Sequence, residues 1–182
     1  MSNHCKNLVT GGLGFLGSNL IDNLLKSGES VICIDNCTTG RVENIRKSWE
    51  DKSFKFIKHD ILDPIDLKVD KIWHLACPAS PIHYQLDPIN TSRTLFKGTD
   101  NMLELAKNLD AKFLFASSSE VYGNPSIHPQ PESYKGNVNN LGKRSCYEEG
   151  KRVAETLCSD YKKIYNLEVR IARIFNTYGP VM

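Results

Sequence analysis

The chain has 182 residues, 40% of them hydrophobic and 24% charged, with 12 Gly, 8 Pro and 6 Cys. That length is enough to bury one sizeable core, and the composition excludes low-complexity disorder, a collagen-like repeat and a disulfide-stapled miniprotein. Twenty-three Lys and Arg against 21 Asp and Glu give a formal net charge of +2, too balanced for a dedicated nucleic-acid binder.

No unbroken apolar stretch reaches the length of a membrane span, and Met1 to Asn7 lacks the apolar region of a secretory signal, so the reading is cytoplasmic. Cys5, Cys33, Cys37, Cys77, Cys146 and Cys158 are scattered, without a CxxC pair or zinc-ligand spacing; they read as free thiols, and no metal site is expected.

In chain order, Leu8-Val9-Thr10 is a short apolar run entering glycines. Phe15 to Ser27 sets Leu16, Leu20, Leu24 and Leu25 on one helical face and stops at Gly28, a helix C-terminal signal. Ser30 to Asp35 is apolar and β-branched, a buried strand ending in an acid. Further strands are expected at 54–59, 71–76, 112–118 and 168–175, with helical patterns at about 41–50, 90–108 and 146–165. Strands alternating with helices predict an α/β Rossmann fold, a doubly wound parallel sheet of strand order 3-2-1-4-5-6. Two long loops, Cys77–Pro88 and Tyr122–Arg144, follow strand carboxyl ends, the edge where such sheets bind ligands.

The sequence Thr10-Gly11-Gly12-Leu13-Gly14-Phe15-Leu16-Gly17 has the pattern GxxGxxG between a strand and a helix. Gly11 suits a tight turn, Gly14 admits a dinucleotide's phosphates to the backbone, and Gly17 allows helix to pack on strand. Asp35 ends the second strand 24 residues after Gly11, where a carboxylate accepts from ribose hydroxyls and repels a 2′-phosphate, favouring NAD over NADP. Asp60, ending the third strand, is either an adenine-side contact or an ordinary turn acid.

Tyr147 and Lys151, spaced by four, share one face of a helix, and a neighbouring cation favours the phenolate needed of a catalytic base. Alone, such a pair is commonly a surface feature. It gains weight from Ser117-Ser118-Ser119-Glu120-Val121-Tyr122-Gly123 directly after the fifth strand, where Ser118 can hold a substrate alcohol and Glu120 is a second acid or base.

Together these features resemble the extended short-chain dehydrogenase/reductases that act on nucleotide-sugars. Within them, His74 to Pro81, Ser118 to Gly123, Arg144 to Glu155 and Arg170 to Pro180 resemble the UDP-glucuronate decarboxylases, and the resemblance runs from Asn7 to Met182. Dehydratases of this group have an Asp-Glu pair before Val-Tyr-Gly and the 4-epimerases generally neither carboxylate; Ser119-Glu120 here favours decarboxylation.

The resemblance implies NAD as cofactor, UDP-glucuronate as substrate and UDP-xylose as product, with Ser118, Glu120, Tyr147 and Lys151 as catalytic residues. It adds Phe15, Leu16, Asn36, Thr39, Gly40, Ile61, Leu75, Ala76, Thr94, Ala116 and Thr177 to the cofactor contacts, and Arg93, Asn101 and Asn176 to the substrate contacts. It also implies a homodimer through a four-helix bundle formed by the helices at 90–108 and 146–165. Two departures stand out: Leu95 replaces a usual Asn, and Cys37-Thr38 replaces aromatic residues after Asp35-Asn36.

Members of this group run longer, so residues 1–182 are expected to be the NAD-binding Rossmann domain with its catalytic groups, the lobe that closes over the sugar being largely absent. Three alternatives stay open: an enzyme releasing the 4-keto pentose, another nucleotide-sugar epimerase, and an NAD-binding fragment or shortened isoform without turnover.

Overall fold

The computed structural model describes residues 5–182; Met1 to His4, part of the stretch read above for a missing signal, lie outside the described residues. Six parallel strands form one sheet: β1 (Lys6–Thr10), β2 (Ser30–Asp35), β3 (Phe54–Lys58), β4 (Lys71–His74), β5 (Lys112–Ser118) and β6 (Val169–Ile174), in the order β3-β2-β1-β4-β5-β6. Strand order reverses beside β1, whose Leu8 is level with Ile32 of β2 on one side and Ile72 of β4 on the other. The carboxyl ends of β1 and β4 therefore diverge into a crevice.

Successive strand residues point to opposite faces, and the core divides accordingly. Val9, Val31 and Cys33 pack with Leu13, Ile21, Leu24 and Ile45 under α1 (Phe15–Lys26) and a 3-10 segment (Val42–Glu50). Leu8, Ile34, Ile72, Phe113 and Phe115 join the other face, against α4 (Thr99–Leu109) and α5 (Ser145–Tyr165). Helix α1 ends at Gly28, whose φ of +77° supplies the left-handed turn its position requires.

Two sequence expectations change. The stretch at 90–108 is not one helix: α3 (Pro88–Arg93) leads through a π turn (Thr94–Gly98) into α4. The stretch 77–88, expected as loop, contains α2 (Pro81–Leu86). Pro81 and Pro88 each start a helix, because an amide at that position has no intrahelical acceptor to lose, and the Asp87 carboxylate accepts from the Asn90 amide at 2.9 Å to cap α3. The π turn keeps Thr94, Leu95, Gly98 and Thr99 buried across the junction, with Gly98 seated on Ile61. All six cysteines are free thiols. Among the described residues no helix is long and apolar enough to cross a membrane.

Candidate active site

The glycines after β1 differ in what surrounds them. Gly11 has φ +69°, and a Cβ there would meet the Ala76 backbone at 2.8 Å, so the turn fits against the end of β4 only without a side chain. A Cβ on Gly17 would lie 2.4 Å from the Gly11 carbonyl oxygen and 2.6 Å from the Gly12 Cα, which sets how closely α1 approaches the strand. A Cβ on Gly14, the N-cap of α1, would meet only the Gly11 carbonyl oxygen, at 3.3 Å; the space beyond it is open. The amides of Phe15, Leu16 and Gly17 face that space without intrahelical acceptors, at the positive end of the helix dipole.

The Asp35 carboxylate ties this loop to the segment after β2. Its Oδ2 accepts from the Leu13 amide (3.1 Å) and its Oδ1 from the Cys37 amide (2.8 Å), leaving a lone pair on each oxygen for hydroxyl donors. Burial pushes the Asp35 carboxyl above its usual value, against those two hydrogen bonds. Gly40 lies against Leu13 and the Asp35 carboxylate, with Thr39 exposed beside it. Asn36 donates to the Asp60 carboxylate at 3.0 Å, which also accepts from the Leu62 amide, so Asp60 anchors the rim after β3. Sequence reasoning missed Asn44, whose amide donates to the Leu13 carbonyl oxygen at 2.8 Å and closes the loop from the far side.

On the β4 side, the Thr10 hydroxyl oxygen accepts from the amides of Leu75 and Ala76, both at 3.1 Å. Having accepted twice, it donates to Nδ1 of His74 (2.9 Å), which makes Nε2 the protonated nitrogen and its donor to the Thr99 hydroxyl oxygen (3.1 Å). His74 is fully buried, and burial, aided by the Lys151 charge, pushes its pKa down to about 3. It is a neutral clamp between β1, β4 and α4, a role that no local pattern signals.

Beyond β5 the expected catalytic side chains converge. Ser118 ends the strand; its hydroxyl oxygen accepts from the Glu120 amide at 3.2 Å, and its hydroxyl is a neighbour that pulls the Tyr147 phenol's pKa down. Tyr147, 6% exposed in the first turn of α5, stacks on Tyr84 of α2 with centroids 4.9 Å apart and planes 9° from parallel. Lys151, one turn on and 3% exposed, donates to the Ala116 carbonyl oxygen at 2.6 Å, its ammonium 5.7 Å from the Tyr147 ring centroid. Glu120, in a 3-10 turn (Ser119–Tyr122), is ion-paired with Arg144, whose Nε lies 3.4 Å from Glu148.

Burial pushes the Tyr147 phenol up, and the Ser118 hydroxyl and Arg144 pull it back down; the Lys151 ammonium donates to a main-chain carbonyl. Arg144 was visible in the sequence only as part of a longer motif. Behind the site, Arg173 holds Glu155 through two hydrogen bonds (2.9 and 2.7 Å) and donates to the Tyr122 hydroxyl at 2.9 Å, while Ser117 donates to Glu155 at 2.6 Å. This network fixes the base of the Glu120 turn.

The three expected substrate contacts do not gather. Arg93 is exposed at the end of α3, and Asn176, with Thr177, is exposed on the segment leaving β6. Asn101 has a structural role: both hydrogens of its amide go to main-chain oxygens, of Ile61 (2.8 Å) and Leu62 (3.0 Å), so it pins the loop after β3. Thr94, and Ile61 within that loop, are buried. Leu95, where an Asn was expected, is 1% exposed and packs against Gly150, Tyr84 and Tyr147, so apolar contact takes the place of the hydrogen bond. The Tyr84 hydroxyl beside it is buried without a partner.

Comparison with known proteins sharpens this picture. The chain is 58% identical over 175 residues to UDP-glucuronic acid decarboxylase 4 of Arabidopsis thaliana, covering 96% of this chain and 40% of that one. UDP-glucuronic acid decarboxylase 1 of Xenopus tropicalis is 53% identical, again over 96% of this chain and 42% of its own length. The chain thus spans about half or less of the curated relatives it matches. Among solved structures, the UDP-N-acetylglucosamine 4-epimerase of Methanobrevibacter ruminantium superposes with a TM-score of 0.88 at 30% identity, covering 98% of this chain and 57% of that one. The dTDP-glucose 4,6-dehydratase of Streptomyces venezuelae, solved with NAD bound, gives 0.87 at 29% identity, covering 97% and 57%. The family model described as GDP-mannose 4,6 dehydratase matches residues 8–182, and the chain belongs to that family.

Proposed function

We propose that this chain is the cofactor-binding and catalytic part of an NAD-dependent decarboxylase that converts UDP-glucuronate to UDP-xylose. The observation that carries the reading is Glu120: a single carboxylate on the turn after β5, beside Ser118 and Tyr147, in a chain 52–58% identical to UDP-glucuronic acid decarboxylases.

The residues fit a dinucleotide. The open face of Gly14, the free amides of α1 and the remaining lone pairs of Asp35 suit a pyrophosphate and a ribose diol. Gly11, Gly17, Asn36, Thr39, Gly40 and Asp60 would border the cofactor, with Ile61, Leu75, Ala76, Thr94, Ala116 and Thr177 as its further contacts. When bound, NAD accepts a hydride from C4 of the sugar and later returns it.

Tyr147 takes the proton of the sugar 4-hydroxyl, and Ser118 hydrogen-bonds the reacting oxygen. Lys151, already held by Ala116 at the floor of the site, contacts the cofactor ribose. Oxidation leaves the sugar carboxylate β to a ketone, so the C5–C6 bond breaks with its electron pair entering an enolate and carbon dioxide leaving. Glu120 orients the ring and relays to C5 a proton drawn from solvent, and Tyr147 returns its proton to the C4 oxygen. Arg93 and Asn176 contact the nucleotide-sugar from the rim. The working unit is a homodimer through α4 and α5, which pack together and leave Ile164 and Tyr165 to solvent.

Incubation of the full-length enzyme carrying this chain with NAD and UDP-glucuronate is expected to yield UDP-xylose without net NADH. Glu120→Gln stalls after oxidation and accumulates NADH; unchanged xylose formation by that variant refutes the role of Glu120, and stoichiometric NADH with the unaltered protein identifies a 4-keto pentose producer instead.

A further inference from the structure

Glu148 is a carboxylate the proposed chemistry does not use, and it is 8% exposed in the first turn of α5, next to Tyr147. Burial pushes its carboxyl up, and the charge that offsets this is the Arg144 guanidinium. Arg144 is the N-cap residue of α5: its carbonyl oxygen accepts from the amides of both Tyr147 and Glu148, each at 3.0 Å. Its side chain spans two carboxylates on different elements, with Nε toward Glu148 of α5 and a terminal nitrogen on Glu120 of the turn after β5. The neighbouring cation, Arg152, is engaged elsewhere, with Glu149 and with the carbonyl oxygens of Val121 and Lys135.

We propose that Glu148 and Arg144 are a positioning pair for Glu120: Glu148 fixes the guanidinium, and the guanidinium fixes the Glu120 carboxylate relative to Tyr147. The physical basis is the shape of the guanidinium, whose separate edges engage two acceptors in a fixed plane, something a lysine ammonium on a flexible stem does not reproduce. Two elements that also meet through Arg152 and the Val121 carbonyl are thereby locked across the reacting position. The inference rests on the decarboxylase reading for its consequence and on the ion pairs alone for its geometry, and the two are tested separately.

The geometry is read on this chain by 15N relaxation of arginine Nε, with exposed Arg93 as the internal mobile reference. The Arg144 Nε is rigid in the unaltered chain and becomes markedly more mobile in Glu148→Gln, while the amide resonances of Gly11 and Gly14 stay in place and report an intact fold. An Arg144 Nε as mobile as Arg93 in the unaltered chain, or unmoved by Glu148→Gln, overturns the proposal. The consequence is read in turnover: Glu148→Gln lowers kcat by about tenfold or more with little change in KM for UDP-glucuronate. Arg144→Lys fails to restore it, and adding Glu148→Gln to Glu120→Gln costs nothing further. A further loss in that double variant overturns action through Glu120. A full-length enzyme carrying this chain that turns over no UDP-glucuronate refutes the decarboxylase reading, and the relaxation comparison then decides the pairing alone.

Discussion

Two glycines of the same loop are expected to fail in opposite ways. In Gly17→Ala the new Cβ falls 2.4 Å from one backbone atom and 2.6 Å from another, about 1 Å inside ordinary contact, and no side-chain rotation relieves it. Overpacking costs about 1–3 kcal/mol, more where backbone must move, while the gain in helix propensity returns at most about 1 kcal/mol, so a net loss near 2 kcal/mol follows. In Gly14→Ala the backbone is extended (φ −77°, ψ 173°), a conformation alanine adopts freely, and the nearest atom is 3.3 Å away. Stability then falls by no more than about 1 kcal/mol, the cost of a poorer N-cap. The Cβ nevertheless occupies the face toward which the α1 amides point, so NAD binding is lost. Urea unfolding and calorimetric titration with NAD separate the two. A Gly14→Ala chain that binds NAD as tightly as the unaltered one refutes the placement of the phosphates, and a Gly17→Ala chain of unchanged stability refutes the packing argument.

Three further outcomes are expected. Tyr84→Phe removes a buried hydroxyl without a partner and raises stability by about 1 kcal/mol in the ligand-free chain, measured by urea unfolding; a loss of that size means the hydroxyl has a partner. His74 is neutral in the folded chain to about pH 3 and has an ordinary value of 6.5, so between those values the unfolded chain binds the extra proton. Its contribution is complete above 6.5 and is lost as pH falls toward 3, at about 1.4 kcal/mol per pH unit at most; His74→Gln flattens that slope, and an unchanged slope contradicts the neutral clamp. Asn101→Ala frees the carbonyl oxygens of Ile61 and Leu62 and costs about 1–2 kcal/mol, with faster amide exchange at 60–63; unaltered exchange there refutes the tether.

The glycine loop, the acid ending β2 and the Tyr147–Lys151 spacing were legible because each is local: a turn, a strand end and one helical repeat are set by residues within a few positions of one another. Strand and helix positions followed from apolar periodicity for the same reason, apart from α2 and the π turn at 94–98. That π turn is dictated by contacts made far away in sequence, Gly98 against Ile61 and Leu95 against Gly150.

The chain's own sequence determined the sheet order, the dinucleotide loop and the identity of the groups around Ser118. Tertiary structure alone decided how those groups are charged and held. Side chains distant in sequence met there: Arg144 on Glu120, Tyr84 on Tyr147, Thr10 and Thr99 on His74, and Lys151 on the Ala116 carbonyl. Desolvation and pairing depend on three-dimensional neighbours, which is why the sequence showed the Tyr147–Lys151 spacing but not the burial, the Ser118 hydroxyl or the Arg144 charge that also act on Tyr147.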